Sequence, residues 1–275
     1  VCGRGKMLRP AFLLLSSRFG TPDGEKTRTL AAAVEMLHLA TLIHDDIIDD
    51  ARVRRGMPAF HTKYGRKQGV LMGDFLFSRS FLLASGHTNA ENARELAAII
   101  SHICNSEIAQ NRQAFKPPRG RRHYLRRIAG KTAALFAVSC HVGSSESGSS
   151  EEVVRRMRRV GYCVGMAFQI IDDLLDLTGT PTRMGKQRGT DLRQGVFTLP
   201  VIAALDRDDG RLARLIGRRH FSTRAVGAVA RATSALGGLG AAQAAAKRYT
   251  DRALREIRKL PDIPARAMLE SLTSD

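Results

Sequence analysis

The chain has 275 residues, carries a formal net charge of +18 and is 43% hydrophobic. This length can bury one large core, and no apolar stretch of about 18 residues lacks charge, so no membrane-spanning helix is expected. Only 5% of the residues are aromatic, and RNP-like, zinc-finger and helix-turn-helix signatures are missing, so nucleic acid is not an expected partner. The excess charge fits acidic small substrates, an anionic membrane surface or a solvated arginine-rich surface.

The four cysteines are far apart in the sequence, at Cys2, Cys104, Cys140 and Cys163. Their spacing fits neither a disulfide framework nor a metal-binding knuckle. Scattered, reduced thiols are typical of the cytosol, so we expect a cytoplasmic protein.

Helical spacing of apolar residues runs through almost the whole chain. Thr21 and Pro22 are typical of an N-cap and a first helical position, and they predict a long helix that ends near Asp50. Further helices are predicted over about 67–87, 90–115, 121–143 and 150–178, followed by shorter helices over about 195–275.

Nothing in the sequence alternates with period two for long enough to predict a sheet, and no linker divides it. Turn-forming residues mark breaks between helices at 117–120, 144–151 and 181–189. We therefore predict an all-α fold, a single-domain bundle of roughly ten or more helices that spans residues 1–275. Because a dense motif stands at the very start, we expect that a native N-terminal segment is missing.

The pattern Asp-Asp-x-x-Asp occurs twice, in LIHDDIIDDA and in FQIIDDLLDLT. On a helix the first and last aspartates of each pattern are i and i+4, about 6 Å apart on one face. Carboxylates this close repel each other, and apolar surroundings add a desolvation cost. The aspartates are Asp45, Asp46, Asp49 and the adjoining Asp50 in the first cluster, and Asp172, Asp173 and Asp176 in the second.

One such cluster alone fits a helix cap or a solvated face equally well. Two clusters at the C-terminal ends of long apolar helices are different, because the helix dipole disfavours negative charge there. A hard divalent cation relieves both problems, and Mg²⁺ prefers one or two carboxylates with water and substrate phosphate. Two facing pairs suit a diphosphate ester, since metal ions would stabilise the departing diphosphate. An apolar helical interior would shield the carbocation that remains.

Basic residues accompany the acidic clusters. Lys6 and Arg9 share a helix face, and Arg54 and Arg55 follow the first cluster. Taken singly, each fits a surface charge, but all stand at predicted helix ends or beside acidic clusters, which favours phosphate binding. Lys131, Thr132 and Lys186 are further candidates, and Lys6, Arg9, His38 and Arg55 are candidates for a second, metal-free diphosphate site.

His38 lies about two helical turns before Asp45 on the same face. Its sequence context favours a buried structural histidine over a ligand, and His44, next to Asp45, is equally open to a structural role.

Five runs of sequence occur in an order that resembles the trans-isoprenyl diphosphate synthase family, in particular its medium- and long-chain members. The runs are GKMLRP, HLATLIHDDIIDDARVRRGMPA, MGDFLFSR, GKTAALF and GMAFQIIDDLLDLTGTPTRMGKQRGTDLRQGVFTLP. They lie between residues 3 and 200, and from about residue 206 the chain resembles the family only in its helical character.

The resemblance implies a helical bundle around a central cavity with three Mg²⁺ ions, usually in a homodimer. The implied partners are isopentenyl diphosphate and an allylic diphosphate; a heteromeric partner and peripheral membrane contact through the product stay open. It implies metal binding by Asp45, Asp46, Asp49, Asp172, Asp173 and Asp176. It implies isopentenyl diphosphate binding by Lys6, Arg9, His38 and Arg55, and allylic diphosphate binding by Arg54, Lys131, Thr132, Gln169 and Lys186. The implied catalytic residues are Asp45, Asp49, Asp172, Asp176, Lys131 and Lys186.

Product length is implied to depend on residues that precede Asp45 on the same helix. Ala40 is small, where a bulky aromatic goes with short products, so the sequence predicts a longer product. Leu37 and Thr41 lie near Ala40 on the same helix and are further candidates for residues that set product length. The next candidate floor lies on MGDFLFSRSFLL, where we expect one large residue among Phe75, Phe77, Phe81 and Leu82 to point inward.

Four other functions remain open from the residues. An HD-type metal phosphohydrolase would use His44 and Asp45 but leaves the second acidic cluster unexplained. A class I terpene cyclase lacks a separate isopentenyl diphosphate site. A non-catalytic subunit of a heteromeric synthase generally loses one acidic motif, whereas this chain has both. A basic protein that binds membranes or nucleic acid is the remaining class.

Overall fold

The computed structural model describes residues 6–54, 56–179 and 188–274. Helices dominate the first part, interrupted by one short antiparallel hairpin in which Val53 pairs with Pro58 and Arg54 with Met57. In chain order the elements are α1 (Leu8–Ser17), α2 (Gly24–Ile48), β1 (Val53–Arg54), β2 (Met57–Pro58), α3 (Phe60–Tyr64), α4 (Arg66–Ser85) and α5 (Ala90–Gln113).

The second part of the chain continues the helical bundle. Helix α6 (Arg121–Ile128) passes through a π-helical segment (Ala129–Ala133) into α7 (Ala134–Ser145), and α8 (Glu151–Thr178) follows. The remaining helices are α9 (Thr190–Arg193), α10 (Leu199–Leu205), α11 (Arg211–Ile216), α12 (Thr223–Ala235), α13 (Gly238–Ile257) and α14 (Pro264–Ser274). The predicted all-α class is therefore confirmed, and the predicted helices agree with the observed bounds to within a few residues.

Two local predictions are wrong. The N-cap of α2 is Asp23, not Thr21: the Asp23 carboxylate accepts hydrogen bonds from the N–H groups of Glu25 and Lys26, at 2.9 and 3.1 Å. A carboxylate satisfies the free N–H groups of the first turn and also favours the helix dipole. The hairpin was not predicted either, because strands of two residues are too short to show an alternating pattern.

The core surrounds α8, which packs against α7 and the π-helical segment on one side and against α13 on another. Two glycines of α8 allow it to approach α7 and the π-helical segment closely. A Cβ at Gly165 would lie 2.6 Å from the Cα of Ala133, and one at Gly161 would lie 2.3 Å from the Phe136 carbonyl oxygen. The π-helical segment is therefore held directly against the C-terminal half of α8, which carries the second acidic cluster.

A separate apolar cluster fills the space between α2, α5 and α7. Its buried members include Leu30, Val34 and Leu37 from α2, and Leu96 and Leu135 from the facing helices. It lies along α2 before the first acidic cluster, in the direction predicted for a growing apolar product. Within the described ranges, no helix is both long enough and apolar enough to cross a bilayer.

Candidate active site

The two acidic clusters stand at the ends of the two longest helices of the bundle. Asp45 and Asp46 occupy the last turn of α2, and Asp49 follows that helix, with its N–H 2.8 Å from the Asp45 carbonyl oxygen. Asp172, Asp173 and Asp176 occupy the last turns of α8. We call these sets the first and the second aspartate row. Their placement at helix C-termini is as predicted from the sequence.

Lys131 reaches the first row from the π-helical segment. Its Nζ lies 3.7 Å from Asp45 Oδ2 and forms a shorter ion pair with Glu107 of α5. Burial disfavours the Lys131 ammonium, but Asp45 and Glu107 outweigh that effect and hold the pKa of Lys131 above its ordinary value. Burial likewise raises the pKa of Asp45 and of Asp49, against the attraction of Lys131. The first row is thus crowded with negative charge that Lys131 and Arg54 compensate in part.

The second row is organised around the buried carboxylate of Asp173. Tyr124 Oη donates to one of its oxygens at 2.6 Å, and Gln169 Nε2 donates to the other at 2.8 Å. Burial raises the pKa of Asp173 to about 7, although both hydrogen bonds act to lower it. The side chain of Gln169 also accepts a hydrogen bond from Thr132 Oγ1 at 2.6 Å, so the π-helical segment is joined to this row.

A fourth acidic residue, Asp191 of α9, adjoins the three aspartates of the second row. The N–H groups of Thr190 and Asp191 lie 3.1 and 3.3 Å from the Asp176 carboxylate oxygens. Burial raises the pKa of Asp191, and Asp176, Asp173 and Asp172 raise it further. The sequence analysis missed Asp191, although it lies within the quoted run GTDLRQG, because a lone aspartate carries no spacing signal.

Both rows border the same space. Lys131 acts electrostatically on Asp45 and Asp49 of the first row and on Asp191 beside the second. The Gln194 side chain, just after α9, hydrogen-bonds Asp49 of the first row. The α9 segment, whose N–H groups lie within hydrogen-bonding distance of Asp176, therefore also contacts the first row. Lys131 and the α9 segment therefore connect the two rows.

The donor set fits a hard cation. Asp45, Asp49, Asp173 and Asp191 all have raised pKa values because they are buried close to other carboxylates, an electrostatic conflict that Mg²⁺ would relieve. In the described part of the chain no three His, Cys, Asp or Glu side chains approach closely enough to hold an ion by themselves. Water and substrate phosphate oxygens would have to complete the coordination, as is usual for Mg²⁺.

The structure places the other predicted basic residues in different surroundings: one pairs with the first row, two lie at α1, and two lie outside the described residues. Arg54 donates from Nε to Asp46 Oδ1 at 2.8 Å, and its Nη2 bonds the same oxygen. Arg9 is buried, with its guanidinium carbon 4.5 Å from the centroid of the Phe136 ring, whereas Lys6 is exposed just before α1. Arg55 and Lys186 lie outside the described residues.

The histidines are held by their own helices and by neighbouring ones. His44 turns toward α4, with Nε2 3.3 Å from the Val70 carbonyl oxygen and 3.4 Å from an Asp74 oxygen. This orientation argues against a metal-ligand pair with Asp45. His38 is half-buried on α2, and its carbonyl oxygen accepts from Thr41 Oγ1 at 2.7 Å.

The proposed chain-length positions differ in burial. Ala40 and Leu37 are fully or nearly fully buried on α2. In the chain by itself the Phe75 side chain is 56% exposed, and Phe81 and Leu82 are exposed as well. Phe77 is the residue of this set that packs inward, with its ring centroid 5.5 Å from that of His44. The large apolar residues of this segment lie on several faces of the helix, so their spacing does not identify the inward one.

Comparisons with known proteins identify the family of the chain. The Polyprenyl synthetase family model matches residues 1–233. The chain is 39% identical to heptaprenyl diphosphate synthase component 2 of Geobacillus stearothermophilus, over 98% of this chain and 84% of that protein. It is 31% identical to octaprenyl diphosphate synthase of Escherichia coli, over 99% of this chain and 85% of that protein.

Solved structures show the same architecture. Heptaprenyl diphosphate synthase from Staphylococcus aureus superposes with a TM-score of 0.94 at 34% identity, over 98% of this chain and 86% of that one. A decaprenyl diphosphate synthase from Rhodobacter capsulatus superposes with a TM-score of 0.92 at 37% identity, over 98% of this chain and 84% of that one. The similarity extends well beyond residue 200, where the recognisable motifs end. The chain belongs to the polyprenyl synthetase family.

Proposed function

We propose that this chain is a trans-polyprenyl diphosphate synthase that condenses isopentenyl diphosphate with an allylic diphosphate. The observation that carries this proposal is that Lys131 and the α9 segment link the two aspartate rows. Two linked rows of this kind could hold a diphosphate between metal-binding carboxylates and a cation. The names of the relatives support the same reaction class.

Mg²⁺ is the proposed cofactor, with three ions per site. Asp45, Asp49, Asp172 and Asp176 would bind it directly. Asp46 and Asp173 would support them, since Asp46 is already paired with Arg54 and Asp173 with Tyr124 and Gln169. When bound, the metal would neutralise the charge that develops on the leaving diphosphate.

Lys131 and Thr132 are proposed to hold the allylic diphosphate from the π-helical segment. Lys131 is half-buried, has a raised pKa and is already directed at the aspartate rows, so it can meet phosphate oxygens without reorganisation. Arg54, Gln169 and Lys186 would complete that subsite. Lys6, Arg9, His38 and Arg55 would bind isopentenyl diphosphate. These roles extend the family pattern to matching positions of this chain.

The reaction needs no side-chain base. The allylic C–O bond breaks and its electron pair leaves with the diphosphate. The isopentenyl double bond then attacks the allylic cation, forming the new C–C bond. Loss of a proton from the isopentenyl-derived part restores a double bond, and the released diphosphate is the proposed proton acceptor. The apolar cluster between α2, α5 and α7 would keep water away from the cation.

We propose that the product is of medium or long chain length. The relatives named above make heptaprenyl and octaprenyl products according to their names. In this chain the wall formed by α2 has only the small side chain of Ala40 at the point where a growing product would pass the first aspartate row and enter the apolar interior. The product would then extend along the apolar cluster that contains Leu37 and Val34.

A homodimer is the proposed assembly. Helix α4 is apolar on several faces, and large side chains of α4 and of the neighbouring α5 remain exposed: Val70, Leu71, Phe75, Phe81, Leu82 and Ile108. An apolar surface of this extent on packed helices is typical of an interface, and a two-fold dimer is the commonest homo-oligomer. A relative named as component 2 supports a heteromeric partner as the alternative. We place the enzyme in the cytoplasm, with membrane contact through its product.

The test is an incubation of purified protein with Mg²⁺, labelled isopentenyl diphosphate and each common allylic diphosphate, followed by chromatographic sizing of the products. The proposal requires chain growth that depends on both substrates and on Mg²⁺. Release of inorganic phosphate without chain growth would instead indicate a phosphohydrolase, and a cyclic product without isopentenyl diphosphate would indicate a cyclase.

A further inference from the structure

Glu107 is a largely buried carboxylate that stands outside the two acidic patterns of the sequence. It lies on α5, its side chain is 12% exposed, and its Oε1 forms an ion pair with Lys131 Nζ. Its other oxygen, Oε2, faces Gln110 Nε2 at 3.5 Å, one helical turn further along α5. Burying a carboxylate costs free energy unless a partner compensates it. The compensating partner of Glu107 is a lysine of the proposed site.

A glycine in the π-helical segment lets α5 approach closely enough for this contact. Gly130 precedes Lys131, and a Cβ on Gly130 would lie 2.2 Å from Ser106 Oγ and 3.4 Å from the His102 carbonyl oxygen. Ser106 Oγ in turn donates to the His102 carbonyl oxygen at 2.8 Å. The residue before Glu107 thus packs directly against the residue before Lys131. The packing of two helices therefore brings the carboxylate and the ammonium together.

Lys131 lies between two carboxylates that belong to different helices. Its contact with Glu107 is the shorter one, whereas Nζ lies 3.7 Å from Asp45 Oδ2, beyond hydrogen-bonding distance. An ammonium has three N–H donors, so its pair with Glu107 leaves donors for other acceptors. A full contact with Asp45 would instead neutralise a carboxylate that Mg²⁺ would need. Glu107 therefore holds Nζ beside the first row without a direct hydrogen bond to Asp45.

We propose that Glu107 is a positioning residue for the reaction: it anchors Lys131 so that Asp45 stays available to the metal and the ammonium stays available to the leaving diphosphate. Glu107 acts through Lys131 and needs no contact with either substrate. The inference rests on the proposed function, which assigns Lys131 to the leaving diphosphate. It follows that both the charge and the length of the Glu107 side chain matter, so an amide of the same shape cannot replace it.

The first measurement compares crystal structures of the metal-free wild type and metal-free Glu107→Gln. The amide keeps the shape of the side chain but removes its charge, so Asp45 becomes the stronger attraction for Lys131. We expect Nζ to move from 3.7 Å to about 2.8 Å from Asp45 Oδ2, the usual length of a hydrogen bond between an ammonium and a carboxylate. The control Glu91→Gln removes the same charge from an exposed position in the first turn of α5 and should leave Lys131 in place. An unmoved Nζ in Glu107→Gln overturns the proposal.

The second measurement is a double-mutant cycle on the steady-state kinetics of isopentenyl incorporation. Glu107→Gln should lower kcat about tenfold or more and change KM for the allylic diphosphate less than about threefold, because a misplaced cation weakens transition-state binding more than substrate binding. In a Lys131→Met background the same change should cost less than about twofold. Glu107→Asp, which keeps the charge on a shorter side chain, should retain more activity than Glu107→Gln. Equal losses in both backgrounds would assign Glu107 a role independent of Lys131 and overturn the proposal.

The two measurements separate this inference from the proposed function. A wild type that forms no polyprenyl product, together with the expected movement of Nζ in Glu107→Gln, would contradict the proposed reaction and leave the anchoring of Lys131 standing. A wild type that elongates normally, together with a Glu107→Gln enzyme as active as Glu91→Gln, would contradict the positioning role of Glu107 alone.

Discussion

Lys131 is the residue on which the electrostatics of the proposed site depend. It projects from a π-helical segment, a local widening of the helix that is frequent at functional sites. The widening lets one helix present Lys131 to the first row and Thr132 to Gln169 next to the second. A regular α-helix through these residues would rotate one of them away.

Replacement of Lys131 by Met is expected to lower the rate of isopentenyl incorporation by about 100-fold or more, because a preorganised charge is lost from the leaving-group site. Steady-state assays with labelled isopentenyl diphosphate measure this rate. Lys131→Arg should retain part of the activity, and Lys63→Met, at an exposed lysine of α3, should retain all of it. A Lys131→Met enzyme within about threefold of the wild type would exclude this role.

The metal-free protein is expected to lose stability as pH rises from about 4 to 7. Burial raises the pKa of Asp173 to about 7 in the folded state, so the folded protein binds a proton over this range that the unfolded chain has released. Unfolding free energy therefore falls with rising pH, by about 2 kcal/mol after allowance for coupling between the carboxylates.

Thermal melts at about pH 5 and about pH 7.5 measure this change, with a difference of several degrees expected. Asp173→Asn should reduce the difference, while the raised pKa values of Asp191, Asp45 and Asp49 leave a remaining slope in the same direction. A melting temperature that rises with pH equally in the wild type and in Asp173→Asn would contradict the raised pKa of Asp173.

Residue roles were predictable where the sequence repeats a spacing. The i, i+4 aspartates of both rows lie at helix ends as predicted, because periodicity fixes both the helix and the face. Tyr124, Glu107 and Asp191 were not predictable, because their contacts with the rows depend on how separate helices pack. No local spacing connects Tyr124 with Asp173, which is 49 residues further on.

At the scale of elements, the long helices were predictable because their apolar residues recur with helical spacing over many turns. The hairpin and the π-helical segment were not. The hairpin strands are too short, and a π-helical segment inserts one residue without changing the apolar character around it. The close approach of α8 to that segment at Gly161 and Gly165 is likewise a property of the packed helices.

Ala40→Phe on α2 is expected to shorten the product and preserve turnover, because a ring at this level blocks the apolar path along the helix. Chromatography of labelled products measures it. Ala40 is completely buried, so overpacking is expected to cost about 1–3 kcal/mol of stability. Ala204→Val, at another fully buried alanine, controls for overpacking and should leave product length unchanged. An unaltered product from Ala40→Phe would exclude α2 as the wall of the product path.

At the scale of the whole molecule, the exposed apolar side chains of α4 and α5 support the proposed dimer. Phe75→Asp/Leu82→Asp should convert a dimer into monomers, because each charge would be desolvated at the interface. Sedimentation equilibrium measures the change. The control Met268→Asp alters an equally exposed apolar residue on α14 and should stay dimeric. A wild-type monomer would contradict the homodimer and direct attention to a heteromeric partner.

The central claim is that both aspartate rows act on one departing diphosphate, and a double-mutant cycle on diphosphate release tests it most directly. Asp45→Asn, Asp172→Asn and the double variant are compared with the wild type. Groups that act as a unit are strongly non-additive, so each single change should lower the rate by about 1,000-fold or more and the double change should add little. Independent, multiplicative losses, or near-normal release after either single change, would contradict a shared site.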